Sequence, residues 1–110
     1  MGKGSFIGEF EQMVLLGILR LGDGAYGVTI HQEVEETTRR PIKRGAIYVA
    51  LERLERKGML TSAFGEPTAA RGGRAKRFYT VSASGRAALR ASRESLLRLW
   101  SGIEPELEKA

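Results

Sequence analysis

Ile42-Lys43-Arg44-Gly45-Ala46-Ile47-Tyr48-Val49-Ala50-Leu51-Glu52-Arg53-Leu54-Glu55-Arg56-Lys57-Gly58 is the stretch on which the reading of this chain turns. Ile47, Leu51 and Leu54, with Ala50, recur at helical spacing and place one apolar face toward a core. The helix is expected to start near Lys43 or Arg44 and to stop at Gly58, a residue suited to a left-handed C-cap. Arg44, Tyr48, Val49, Glu52, Arg53 and Arg56 fall on the opposite face. A tyrosine and a valine among arginines are poor choices for a face that meets only water. They suit a partner that offers both phosphates and apolar edges.

Directly after this helix, Met59–Glu66 and Lys76–Val81 are rich in apolar, aromatic and Thr residues and read as two strands. The connection Pro67–Ala75 is too long for a two-residue turn. Arg71, Arg74, Lys76 and Arg77 make this hairpin tip cationic. The charge of the whole chain is gathered here. Residues 39–77 hold 11 Lys and Arg less 3 acids, a net of +8, whereas the rest holds 7 bases less 10 acids, a net of −3. Such segregation points to a side that faces a polyanion.

The remaining bulk properties set limits. A chain of 110 residues accommodates one modest core. With no cysteine there is neither a disulfide nor a thiolate metal site, which is compatible with a reducing compartment. The longest apolar run, Met13–Leu19, falls far short of the roughly 20 residues that span a bilayer. No signal peptide is recognisable at the start, so a cytoplasmic location is expected. An enzyme is not expected either: the chain has one histidine, no nucleophile elbow and no acidic pair at metal-ligand spacing. No cofactor is expected.

Upstream of the central helix, residues 1–8 contain three glycines and read as a flexible arm. Glu9 and Glu11 suit the positive end of a first helix, whose wide apolar face is Phe10, Met13, Val14, Gly17, Ile18 and Leu21. Gly22-Asp23-Gly24-Ala25-Tyr26-Gly27 formally matches a dinucleotide-binding fingerprint. That reading needs a preceding strand, and a helix precedes it; the stretch reads as a turn, with glycines for positive φ. A second helix from Gly27 to Thr38 turns Ile30 and Val34 inward and Glu33, Glu35 and Glu36 outward, with His31 at or near the surface. Pro41 closes it.

Downstream, Ser82 is a plausible N-cap for a long last helix. Leu89, Leu96, Trp100, Ile103 and Leu107 form a seam along it, broadened by Leu97 and Leu99, with Gly102 and Pro105 as points of kinking or fraying. Helices one to three and the hairpin already supply a core, so the seam is expected to pair with the same helix of a second subunit about a two-fold axis.

Helix, helix, helix, strand, basic turn, strand, long helix is the order of a winged helix-turn-helix. The fold class is therefore α+β, mainly α, with a DNA-binding domain over residues 9–81 and a C-terminal dimerisation helix over residues 82–110. In such folds the second helix of the pair enters the major groove, and dimers address half-sites about one duplex turn apart. The expected DNA contacts are Lys43, Arg44, Gly45, Tyr48, Val49 and Arg53 on the helix, and Arg71, Arg74, Lys76 and Arg77 on the wing. Arginine in the wing suits the negative minor groove. A winged-helix module whose basic face meets an acidic protein is the alternative. Charge on both helix and wing favours double-stranded DNA.

The chain also resembles the PadR-like transcriptional regulators. Ala25-Tyr26-Gly27, Gly45-Ala46-Ile47-Tyr48 with Leu51 and Leu54, and Lys57-Gly58-Met59-Leu60 carry the resemblance. Gly73-Arg74-Ala75-Lys76-Arg77-Phe78-Tyr79 and Ser82-Ala83-Ser84-Gly85-Arg86 complete it, so that it covers about Glu9 to Leu107. It implies a homodimeric winged-helix repressor of the branch with one dimerisation helix, acting on an inverted-repeat operator. Carried over, Gly45 is the close-approach position, Tyr48 a DNA-contacting side chain, and Arg74 and Lys76 wing phosphate contacts. The chain departs from the family in having Val49 where proline often follows the tyrosine, and Lys43-Arg44 where Ser-Pro often precedes the glycine. Some members are similar to drug sensors that take flat aromatic effectors at the dimer interface near a tryptophan. Trp100 lies on the seam where such a pocket would form, and either ligand stacking or plain interface packing suits an aromatic there.

Overall fold

A computed structural model describes residues 6–65 and 75–109. Its elements are α1 (Glu9–Leu21), a 3-10 turn (Gly22–Gly24), α2 (Gly27–Thr38), α3 (Arg44–Arg56), β1 (Leu60–Phe64), β2 (Arg77–Val81), α4 (Ala83–Trp100) and α5 (Glu104–Leu107). This is the winged helix-turn-helix order that the sequence predicts. Val14, Leu15, Ile30, Ile47, Leu51 and Leu54 are all but fully buried and bring α1, α2 and α3 onto one core. Leu60, Val81, Ala88 and Leu89 close it from the hairpin and the start of α4. Gly17 allows α1 and α2 to approach, since a β-carbon there would stand 2.8 Å from Val34 Cγ2.

The helix ends follow from local hydrogen bonding. Gly58 takes φ 80 after α3. Its N–H donates to Glu55 O at 3.0 Å and the Met59 N–H to Leu54 O at 2.9 Å, the double closure of a Schellman motif. Ser82 caps α4 by accepting from Gly85 N at 3.1 Å. The same hydroxyl donates to Gly58 O at 2.7 Å, so one side chain ties the end of α3 to the start of α4.

The hairpin pairs antiparallel in the register Leu60–Val81, Ser62–Tyr79 and Phe64–Arg77. β2 also forms a bridge between Phe78 and Tyr26, and the Tyr79 N–H donates to Ala25 O at 2.8 Å. The wing is thereby fastened to the segment between α1 and α2.

Several expectations need correction. The expected arm is anchored at its end, because Ile7 is buried in the core and its carbonyl accepts from Gln12 Nε2. Of the glycines in the turn after α1, only Gly22 has positive φ. The strands are shorter at the tip than expected, and Arg71 and Arg74 lie outside the described residues. The seam is not one helix: α4 stops at Trp100, Gly102 takes φ 77, and Ile103 and Leu107 lie beyond the break. Leu89 belongs to the core of its own chain, where it is 9% exposed, so the open stripe begins at Leu96. The buried face of α1 also takes in Leu15, which lay outside the expected face, while Leu16 and Leu19 of the same helix are exposed.

Candidate nucleic-acid interface

α3 is presented by a turn held by side chains of α2. His31 Nε2 donates to Ile42 O, and the Ile42 N–H donates to Glu35 Oε2 at 2.9 Å. Arg39, in the left-handed region at φ 58, caps α2 through its N–H to Glu35 O. Because carbonyl oxygen only accepts, Nε2 of His31 carries the proton. Sequence spacing turned Glu35 outward and left His31 at the surface or partly packed, with no role for either; together they hold the turn that leads into α3.

From that start, Lys43, Arg44, Gly45, Tyr48, Val49 and Arg53 are all exposed on α3 or its N-cap. Among the described residues, Lys43, Arg44 and Arg53 form no ion pair, whereas three other bases of the basic region are engaged. Arg40 pairs with Glu9, Arg56 with Glu52, and Lys57 with Glu11. The last of these is structural. Lys57 Nζ reaches both carboxylate oxygens of Glu11, at 3.2 and 3.1 Å, and Glu11 is a buried acid on α1. The net charge of the region therefore overstates what faces outward; the cations of α3 without an acidic partner among the described residues are Lys43 and Arg44 at its start and Arg53 in its last turn.

Tyr48 and Val49 lie among those free cations, and both are about half exposed. The Tyr48 ring packs over Gly27, the first residue of α2, where a side chain would collide with it. The neighbouring Tyr26 meets Phe78 edge to face, with centroids 5.4 Å apart, and carries Lys76 Nζ 4.6 Å above its ring. A continuous run of contacts thus joins α3, the start of α2 and the base of the wing.

Arg77 is held by a second set. Its Nε donates to Ser62 Oγ at 2.9 Å, and Ser62 Oγ donates to Glu55 Oε2 of α3 at 2.7 Å. The guanidinium lies over Phe64, its cross-strand partner, 5.1 Å from the ring centre. Sequence reasoning missed Ser62, Glu55 and Phe64; cross-strand register was the only signal, and it needs the turn geometry.

Second to these cations is a groove of about 500 Å³ between α1 and α4, lined by Leu16, Leu19, Leu96, Leu97 and Trp100 with Arg86, Arg90 and Arg93. Three of the expected seam residues line it, Leu89, Leu96 and Trp100, the last being the tryptophan for which either ligand stacking or interface packing is expected.

Comparison with solved structures gives the same architecture. A PadR family transcription regulator from Clostridium difficile R20291 superposes with a TM-score of 0.69 at 23% identity, covering 89% of this chain and 98% of that one. A PadR family regulator from Eggerthella lenta gives 0.67 at 24% identity, covering 93% and 88%. A PadR-like regulator from Bacillus cereus gives 0.70 at 17% identity, covering 92% and 93%. No curated protein matches the chain. At these identities the structures establish the fold, and the sequence itself establishes the kinship. The family model described as "Transcriptional regulator PadR-like family" matches residues 15–91, from within α1 through α3 and the hairpin into α4. This chain belongs to the PadR-like family of transcriptional regulators.

Proposed function

We infer that the protein is a dimeric, sequence-specific DNA-binding repressor of the cytoplasm, released by a small aromatic effector. One observation carries the DNA reading. The cations of α3 left without an acidic partner among the described residues, Lys43, Arg44 and Arg53, surround the exposed Tyr48 and Val49 on the second helix of the helix-turn-helix. Guanidinium and ammonium groups there neutralise phosphates and read guanine edges, while Val49 offers an apolar contact to a thymine methyl. Lys76 and Arg77 grip the backbone beside them, and Arg71 and Arg74 extend the grip. The half-exposed Leu96 and Trp100 pack against their mates across a two-fold axis, so that two copies of α3 address an inverted repeat. Trp100 lines the apolar groove beside that axis and supplies a stacking surface for the effector.

Selection of bound duplexes from a random pool tests this reading. It should enrich an inverted repeat, Tyr48→Ala should change the ranking of the selected sequences, and Lys76→Ala should weaken all of them alike. A pool that remains random after selection would overturn it.

A further inference from the structure

α4 leaves its own domain early. Only Gly85, Ala88 and Leu89 of this helix are buried, and Leu96, Leu97, Leu99 and Trp100 stand exposed beyond them. With Leu16 and Leu19 of α1 they floor the open groove described above, larger than the scattered apolar residues of an ordinary surface. Its rim is cationic. Arg86, Arg90 and Arg93 recur at spacings of four and three along one face of α4, and among the described residues none of them forms an ion pair.

The complement lies at the other end of the same chain. Past the break at Gly102, the segment Ile103–Glu108 carries Glu104, Glu106 and Glu108, alternating with exposed Ile103 and Leu107. Only Glu106 has a partner among the described residues, its near neighbour Lys109 at 3.0 Å. Along α4 the rise to Trp100 is about 21 Å from Arg86 and about 11 Å from Arg93, so the segment beyond the break starts away from the arginine end of its own groove. A second copy, reversed in direction, brings the two together. A parallel copy would set arginine against arginine.

We propose that the acidic C-terminal segment of one subunit docks in the arginine-rimmed groove of the other, and reciprocally, fixing an antiparallel dimer. Glu104, Glu106 and Glu108 meet Arg86, Arg90 and Arg93, while Ile103 and Leu107 cover the apolar floor. The two-fold axis then falls beside Leu96 and Leu97, midway along the chain between Arg90 and Ile103. Such an isologous contact is self-complementary, and its charges set register and direction as well as strength. The segment fills the arginine end of the groove and leaves the Trp100 end to the effector. This rests on the dimer reading given under Proposed function.

Two charge-reversed variants test it: R86E/R90E/R93E, and E104K/E106K/E108K. Each substitutes exposed or rim positions, and circular dichroism checks that the fold is kept. Each alone should dimerise at least about tenfold more weakly than wild type by sedimentation, since attraction becomes repulsion at both symmetric contacts. Mixed together, they should form a heterodimer of near wild-type affinity. Wild-type dimer affinity should also fall as salt is raised from about 0.05 to 0.5 M, because the pairs are screened. Full-strength homodimers of both variants, or a salt-independent wild-type dimer, would overturn the docking while leaving a dimer in place. A wild-type protein that sediments as a monomer would instead overturn the dimer reading beneath it.

Discussion

The Tyr48 ring rests on Gly27, so closely that a β-carbon at Gly27 would stand 2.5 Å from the ring carbons Cε1 and Cζ. The contact seats α3 against the start of α2, and it orients a side chain assigned here to DNA. Because the ring is about half exposed, it can swing outward when crowded. Gly27→Ala should therefore cost little stability, under about 1 kcal/mol, yet change which duplexes bind best. Gly85→Ala makes the opposite case. Its β-carbon would meet the Met59 carbonyl and come within 2.9 Å of Val81 Cγ1, and neither neighbour can move out of the way. Urea denaturation should show a loss of about 1–3 kcal/mol for Gly85→Ala. Equal losses from the two alanines would refute this account of both glycines.

The buried Glu11 is a second place where one change separates fold from function. Lys57 is its only partner among the described residues, and the lysine itself is part exposed. Lys57→Met should destabilise the protein by about 1–3 kcal/mol, because it leaves a carboxylate buried and unpaired. The double variant Glu11→Gln with Lys57→Met should recover much of that loss. If the single and double variants melt together, the pair is not holding α1 to α3.

Ser62 links Arg77 to Glu55 and has no charge of its own. Ser62→Ala should weaken duplex binding severalfold in the wild-type background and have no further effect on Arg77→Ala. That non-additivity is the signature of one unit. Independent effects of the two substitutions would show that Arg77 does not depend on Ser62 for its placement.

Acid should loosen the contact between α1 and α2. The Glu33 carboxyl is held below its ordinary range, first by the hydrogen bond from Arg20 and then by the one from Thr37. Arg20 Nε lies 2.7 Å from Glu33 Oε2. A carboxyl whose folded pKa is depressed stabilises the fold above its unfolded pKa and loses that contribution as pH falls through the folded value. Denaturation midpoints of the wild type should therefore approach those of Glu33→Gln as pH drops through and below the carboxylate range. A constant gap between the two across that range would contradict the assignment.

Much of this was legible in the sequence where periodicity or capping chemistry speaks. The two faces of α3 followed from the spacing of Ile47, Leu51 and Leu54, and the start of α4 from Ser82. What stayed hidden depends on contacts distant in sequence. Ile7 stands between Phe6 and Gly8 in a stretch too short to show a period. The bridge from Tyr26 to Phe78 is too short to produce alternation. His31 and Glu35 act on backbone groups of the α2–α3 turn, whose shape spacing does not encode. Leu89 and Leu96 fall on one stripe, but spacing alone cannot say that the first packs within the chain and the second is left open. Charge counting overstated the free cations, because Lys57 answers a buried acid on another helix.

The central claim is that α3 and the wing meet phosphate. Duplex affinity measured across a series of salt concentrations tests it most directly. If Lys43, Arg44, Arg53, Lys76 and Arg77 each displace a counterion, these five alone should give a log–log slope of roughly −4.5 per protomer, and Arg44→Ala should reduce its magnitude by about 0.9. A duplex affinity that stays flat with salt would contradict the account.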